Sequence, residues 1–307
     1  MIVIDDIIMD NKESANYVAL GSFDGLHYGH LSLVRKTVEV AKEKNGKSMV
    51  FTYKNHPKTV VKPDCVPKLI MDLDTKLEYL EEENVDIVVL RTFTKEFMGI
   101  EAEDFIKLLC EGYNVKGIVV GFNFRFGHKN LGDIELLKKL KEKYGYELYI
   151  IEPYTYEDKA ISSTRIRNCI LEGNVSEATK MLSKPYLIKG KVIHGKQLGR
   201  TIGVPTANLN FNEKMIIPSN GVYYTNVEYK NNKYKGLTSV GNNPTVNGQE
   251  LTIETYILNF DEMIYGEELK VYFIERIRGE IKFDSLDELV LQIKKDEEFI
   301  KNKEIII

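Results

Sequence analysis

Cysteine is scarce: Cys65, Cys110 and Cys169 are scattered through 307 residues without C-x-x-C spacing. That excludes a disulfide framework or a cysteine-built zinc site as the organising device, and a reducing compartment is expected. Basic excess is missing too. The net charge of −4 argues against a general nucleic-acid binder, which is usually basic. No apolar run is long enough to span a bilayer, and Met1-Ile2-Val3-Ile4-Asp5-Asp6 lacks the basic start of a signal peptide. A soluble, cytoplasmic chain with no membrane partner is the expectation. There is no internal repeat, no low-complexity linker and no Walker pattern G-x-x-x-x-G-K-[ST]. What is present is 43% apolar residues, enough for real cores, in a length that suits two domains better than one.

The chain is organised around Gly21-Ser22-Phe23-Asp24-Gly25-Leu26-His27-Tyr28-Gly29-His30. The apolar run Tyr17–Leu20 leads into it, and Leu31, Val34, Val38 and Val40 leave it at helical spacing. That reads as a strand, a glycine-punctuated turn, and a helix whose first turn carries two histidines. Free N–H groups and the helix dipole at such a turn favour an anion. Two imidazoles three residues apart share a helical face and can donate to one phosphate. Either histidine alone reads as an ordinary side chain of a strand–helix turn; the whole pattern reads as a nucleotide-phosphate site.

Strand and helix signals then alternate. Strands are expected at Ser48–Tyr53, Val85–Leu90, Gly117–Gly121 and Glu147–Ile151, with helices around Asp74–Glu83, Glu101–Glu111 and Ile134–Tyr144. Such alternation implies a parallel, doubly wound α/β sheet of Rossmann type, with its ligand beyond the carboxyl ends of the strands. Two further loops fall at that edge. In Gly121–His128, Asn123 and Arg125 could read a base or phosphate, or the loop could be a plain aromatic-capped turn. In Ile161–Arg167, Ser162, Ser163 and Thr164 could cap a helix while Arg165 or Arg167 clamps a polyphosphate.

The character changes near 183–186. Short strands separated by turns follow, at Tyr186–His194, Gly221–Tyr229, Tyr234–Val240, Leu251–Leu258 and Leu269–Ile277, with a turn at Lys230-Asn231-Asn232-Lys233. This predicts an antiparallel β-barrel or sandwich. A final helix starts with the capping box Ser285/Glu288, and Leu286, Leu289, Val290 and Ile293 form a stripe expected to seal the barrel. The segment Gly190–Gly203, rich in glycine and cations, suits a flap over phosphates that includes Gly195, Gly199 and Arg200. Behind it, Thr206 and Asn208 lie two residues apart on one face of an extended Pro-Thr-Ala-Asn. They are hard oxygen ligands suited to Mg2+ shared with phosphates, or else plain punctuation. Glu254, among β-branched neighbours, is either a solvated edge charge or a general base for a hydroxyl nucleophile. Arg276, Arg278 and Glu280 are expected beyond the last strand, on the acceptor side.

Taken in order, G-S-F-D-G-L-H-Y-G-H, G-F-N-F-R-F-G, I-S-S-T-R-I-R, G-K-Q-L-G-R-T-I-G-V-P-T-A-N-L and T-I-E-T-Y resemble the prokaryotic bifunctional riboflavin kinase/FAD synthetase family over essentially the whole chain. The resemblance implies an FMN adenylyltransferase domain over 1–184 and a barrel-fold riboflavin kinase domain over 185–307. It implies that Gly21, Phe23, Asp24 and Gly29 shape a nucleotide site in which His27 and His30 stabilise charge on ATP. Asn123 would contact nucleotide and flavin, and Ser163, Thr164 and Arg167 would clamp the triphosphate. In the barrel, Thr206 and Asn208 would bind magnesium, Glu254 would activate the ribityl hydroxyl, and Gly195, Gly199 and Arg200 would form the flap. Arg278 would lie on the flavin side. The partners implied are riboflavin, FMN, FAD, ATP, ADP and pyrophosphate, with no signal for oligomeric state. Competing readings are a chain with one active half, a non-catalytic flavin-binding regulator, and an adenylyltransferase for another acceptor, which leaves the barrel unexplained.

Overall fold

Asn16-Tyr17-Val18-Ala19-Leu20 is buried at every position, a pattern that suits a strand covered on both faces. In the computed structural model, which describes residues 1–7, 14–195, 199, 202–245 and 248–307, this strand is interior to a parallel sheet. The sheet comprises β1 (Ile2–Asp5), β2 (Asn16–Leu20), β3 (Lys47–Tyr53), β4 (Ile87–Arg91), β5 (Val115–Gly121) and β6 (Glu147–Ile151). Their order is β1-β4-β3-β2-β5-β6. Helices α1 (Tyr28–Glu43), α2 (Lys58–Val61), α3 (Leu73–Glu82), α4 (Lys95–Met98), α5 (Ala102–Lys107) and α6 (Ile134–Tyr144) connect them. Alternation along β2 feeds two cores. Val18 and Leu20 pack with Phe51, Phe105 and Leu109, whereas Ala19 joins Leu31 and Val34 of α1 and Leu80 of α3.

Two local differences stand out against the expected elements. The opening residues form β1, paired with β4 from Ile2↔Ile87 onward, although their mixed polarity conceals it. The helix expected over 101–111 changes at Leu108–Gly112 to π geometry. Strand order has a further consequence. The chain passes from β2 to β3 on one side and later returns to β5 on the other, so β2 and β5 flank the topological switch point. The histidine loop follows β2 and the Asn123 loop follows β5. A short hairpin, β7 (Thr155–Tyr156) and β8 (Lys159–Ala160), comes after the sheet.

The chain divides by packing into Met1–Ser162 and Ser163–Ile307. This division precedes the break read at 183–186, because α7 (Ser163–Leu171) packs with α8 (Val175–Met181), and α8 rests on the barrel. Gly173 between them has φ +80°, and a Cβ there would lie 2.5 Å from Ser219 Oγ. The barrel strands are β9 (Tyr186–Ile193), β10 (Thr206–Phe211), β11 (Gly221–Tyr229), β12 (Asn232–Thr245), β13 (Gly248–Ile257) and β14 (Glu268–Arg278). They close in the order β10-β13-β12-β11-β14-β9, all antiparallel. Lys230 and Asn231, with φ +49° and +65°, make the two-residue turn that twisted hairpins favour. Inside, the buried hydroxyls of Thr225, Thr238 and Thr255 form a ladder at 2.8 and 2.9 Å.

Helix α9 (Leu286–Lys301) begins as expected, with the Glu288 N–H on Ser285 Oγ at 3.2 Å. Its apolar stripe follows the expected face beyond the first turn, with Leu289, Val290 and Ile293 half-buried. Leu286 is exposed, while Ile293 and Ile300 pack with Tyr224 and Leu237 on the side of the barrel. The last residues, Glu304-Ile305-Ile306-Ile307, are tied to β11: Tyr224 Oη donates to the Glu304 carbonyl at 2.6 Å, and the Ile306 N–H donates to Asn226 Oδ1 at 2.9 Å.

Candidate functional site

The loop after β2 is sharply bent, and most of its ligand-free interactions point downward into the protein. Phe23, Gly25 and Leu26 all take positive φ, +50°, +89° and +38°. Gly25 is required sterically as well, since a Cβ would come within 2.9 Å of Ile70 Cγ2. Asp24 Oδ1 accepts the N–H groups of Ile70 at 3.0 Å and Met71 at 3.3 Å. The Ser22 carbonyl accepts Thr52 Oγ1 at 3.0 Å and Lys76 Nζ at 2.9 Å. Phe23 is fully buried beneath the loop, edge-on to His30 with ring centroids 5.4 Å apart. The side chains of Phe23 and Asp24, expected at the nucleotide, are both buried: one fills the core and the other pins the loop. Gly21 lies over Phe23, where a Cβ would sit 3.2 Å from the ring.

His27 caps α1, its Nδ1 accepting the His30 N–H at 3.2 Å. An Nδ1 that accepts must be unprotonated, so the neutral ring carries its proton on Nε2. The two imidazoles stack at 3.7 Å and 15°. Gly29 leaves room for this; a Cβ would lie 3.2 Å from His27 Cε1 and Nδ1. Burial pushes His27, 5% exposed, down to about 4. Burial, then the charges of His27 and Lys76, also hold His30 well below the usual histidine range. The pair is thus neutral at pH 7, and His30 Nδ1 is a buried nitrogen without a hydrogen-bond partner among the described residues. Tyr28 stacks on Tyr154 beside it at 5.5 Å.

Asn123 is exposed at the end of β5, next to Gly121, so the structure brings it to the same sheet edge as the histidines. Arg125 is occupied differently from expectation: Nη1 pairs with Asp133 Oδ2 at 3.1 Å, and Asp133 caps α6. Ser163, Thr164 and Arg167 stand on α7 in the second unit. Lys76 and Thr52 escaped the sequence reading because only the packing of α3 and β3 brings them to Ser22.

In the barrel, the register sets Asn208 opposite Glu254 on adjacent strands, and Thr206 Oγ1 donates to Glu254 Oε2 at 3.3 Å. Three hard oxygen-bearing side chains thus gather on one half-buried face, while Ala207, Ile253 and Thr255 turn inward. Both flap glycines close on this face. A Cβ on Gly195 would collide with the Asn208 amide, and one on Gly199 would strike the Val204 carbonyl and lie 3.6 Å from Thr206 Oγ1. Arg200 lies outside the described residues, as do residues 196–198 and 201. A cavity of about 360 Å³ adjoins Thr206 and Asn208, walled by Val192, Pro205, Ile257 and Tyr265. No cluster of three His, Cys, Asp or Glu side chains able to hold a metal occurs among the described residues. The donor set of Thr206 and Asn208, a hydroxyl and an amide oxygen, fits a magnesium ion that takes its remaining ligands from phosphates and water, with the Glu254 carboxylate beside it.

Arg276 and Arg278 end β14 rather than following it. Arg278, expected on the flavin side, is committed to α9: its Nη2 and Nε meet Asp296 Oδ2 at 2.8 and 3.0 Å. Glu280 accepts the Asn220 amide at 3.1 Å, and Arg276 donates to the Asn220 carbonyl at 2.7 Å.

Known proteins agree with this division of labour. A family model described as FAD synthetase matches residues 9–165, and one described as riboflavin kinase matches residues 182–303. A bifunctional riboflavin kinase/FMN adenylyltransferase from Buchnera aphidicola is 34% identical over 95% of this chain and 94% of its own. Its counterpart from Listeria monocytogenes is 36% identical over 92% and 90%. Among solved structures, one from Streptococcus pneumoniae, titled a macrolide-efflux protein, superposes with a TM-score of 0.92 at 38% identity, covering 99% of this chain and 100% of that one. Among the described residues here, no helix is long and apolar enough to cross a membrane.

Proposed function

The chain belongs to the bifunctional riboflavin kinase/FMN adenylyltransferase family, and from that premise we propose which residues carry each of its two reactions. The protein phosphorylates riboflavin to FMN and adenylylates FMN to FAD, using ATP in both steps.

For the kinase, the observation that carries the assignment is Glu254 opposite Asn208, with the Thr206 hydroxyl at 3.3 Å. Glu254 takes the proton of the riboflavin 5′-hydroxyl as that oxygen attacks the γ-phosphorus and the bond to ADP breaks. Thr206 and Asn208 would hold Mg2+, which when bound offsets phosphate charge during transfer. Gly195 and Gly199 would offer backbone donors to the phosphates, and Arg200 would add a guanidinium. The adjoining cavity, about 360 Å³, suits the nucleoside of ATP.

For the adenylyl transfer, the support is the stacked neutral histidine pair at the N-terminus of α1, at the switch point of the sheet. A phosphate oxygen of FMN attacks the α-phosphorus of ATP, and pyrophosphate leaves. No side chain becomes covalently bonded, so positioning and hydrogen bonding carry the step. His27 donates from Nε2, and His30 adds a second imidazole to the same charge. Gly21 and Gly29 keep the backbone close, and Asn123 contacts nucleotide and flavin. The triphosphate role of Ser163, Thr164 and Arg167 rests on their sequence motif alone. The three free cysteines support a cytoplasmic setting, and efflux is not part of this reading.

Incubating the protein with riboflavin, ATP and magnesium and separating the flavins over time tests both assignments. His30→Ala is expected to stop FAD formation while FMN accumulates. Glu254→Gln is expected to slow FMN formation by roughly 10²-fold or more and leave FMN-to-FAD conversion intact. Loss of both activities in either folded variant rejects one site per domain.

A further inference from the structure

We propose that Lys76 is a positioning residue of the adenylyl-transfer site: its buried ammonium, held by the Ser22 carbonyl beside Asp24, keeps the loop in the bend that lays His27 on His30. This rests on the reading of the histidine pair as the phosphate-binding element. Lys76 lies on α3, outside every motif that identifies the site, and is only 7% exposed. Its Nζ donates to the Ser22 carbonyl at 2.9 Å. The loop it grips holds Phe23 and Leu26 at positive φ, which L side chains avoid, so other contacts must hold that bend. Thr52 and Asp24 supply neutral and anionic ties; Lys76 supplies a cation.

Burying an ammonium is costly, and a packing role alone is better filled by Met or Leu. The ionisable groups facing Lys76 are Asp24 from the loop and His30 from α1, with Tyr79 following three residues on along its own helix. Burial brings the lysine down to about 8, against the opposing pull of Asp24. Its charge in turn lowers His30. The ammonium is therefore present at neutral pH and lost at an alkalinity where an ordinary lysine remains charged.

The test uses the full chain with Lys76→Met and Lys76→Arg, measuring kcat/KM for FMN adenylylation across a range of pH and the titration of the His30 ring by NMR. For Lys76→Met, FMN adenylylation is expected to fall about tenfold or more, with riboflavin phosphorylation unchanged and the His30 titration moved upward. Lys76→Arg, charged throughout, is expected to restore much of the rate and extend it to higher pH. Adenylylation undiminished in Lys76→Met, or lost with His30 titrating as before, overturns the proposal. If Lys76→Met does not fold, the arginine variant decides: an alkaline limit equal to that of the wild type overturns it, and an extended one supports it. Full FMN adenylylation in His30→Ala identifies failure of the histidine reading itself; loss there with Lys76→Met unaffected isolates failure at Lys76.

Discussion

In the proposed adenylyl transfer, His27 serves as helix cap and as ligand donor with different nitrogens of one ring. Nδ1 is used by the His30 N–H, which leaves Nε2–H for substrate. The arrangement works only while the ring is neutral, and this has a thermodynamic consequence. The unfolded chain protonates His27 near 6.5, whereas the folded chain resists until about 4. Between those values the unfolded state binds more protons, so stability is complete above 6.5 and falls as pH drops toward 4. One such group contributes up to about 3 kcal/mol, and His30 acts in the same direction. Urea unfolding followed by circular dichroism is expected to show a midpoint that declines over this range, and a shallower decline for His27→Asn. Parallel declines in the two proteins reject the assignment. At this scale the sequence was informative about chemistry and less so about exposure. The two histidines stack on each other, and in the barrel Thr206, Asn208 and Glu254 share one strand face. Phe23 and Asp24 share the first motif yet face the core, because a motif reports residue type and spacing but not which side of a bent loop meets solvent. Lys76 has no motif at all; its role arises only from where α3 packs.

Among the elements, α9 is the one whose boundary was plain and whose docking was not. Its capping box is local and is present as read. Its buried face is fixed by a partner strand: Arg278 at the end of β14 reaches Asp296, 3% exposed, and Gln292 completes the carboxylate's bonds at 2.9 Å. That pairing seats the second half of the helix, where Ile293 and Ile300 face the barrel, and leaves Leu286 of the first turn in solvent although it lies on the same helical face. It also commits the Arg278 guanidinium to α9. Asp296→Ala leaves a largely buried guanidinium without its anion and is expected to cost about 3 kcal/mol or more in unfolding of the barrel unit. Adding Arg278→Met to that variant is expected to recover much of the loss, because no charge is then stranded. Equal destabilisation in the single and double variants indicates that packing, not charge pairing, seats α9. Strand β10 was hidden for a related reason. Its polar Thr206 and Asn208 face outward toward the site while Ala207 and Leu209 face the barrel, so the short run lacks the apolar density by which its neighbours were recognised.

On the scale of the whole chain, two cores and two sets of reactive residues lie in units that each close their own sheet. Rossmann-like sheet and barrel were both legible, since alternation of periods marks one and short β-branched strands with tight turns mark the other. The division between them was less so, because α7 and α8 carry helical spacing that continues the first pattern while their packing belongs to the second unit. Two successive reactions that share FMN have a kinetic consequence. FMN made by the kinase is a finished product, and a transferase site on another molecule is expected to use it as well as one on the same chain. Mixing Glu254→Gln with His30→Ala therefore tests the connection between the reactions. Neither variant alone is expected to convert riboflavin to FAD, one lacking the first step and the other the second. Together they are expected to do so after a lag, as free FMN rises toward the level the transferase requires. The FAD rate should increase with added FMN and match the wild-type rate once free FMN is equal in both samples. FAD formation by the wild type without a lag, while the mixture lags at equal total sites, indicates instead that FMN passes between the sites of one chain without mixing with the solution.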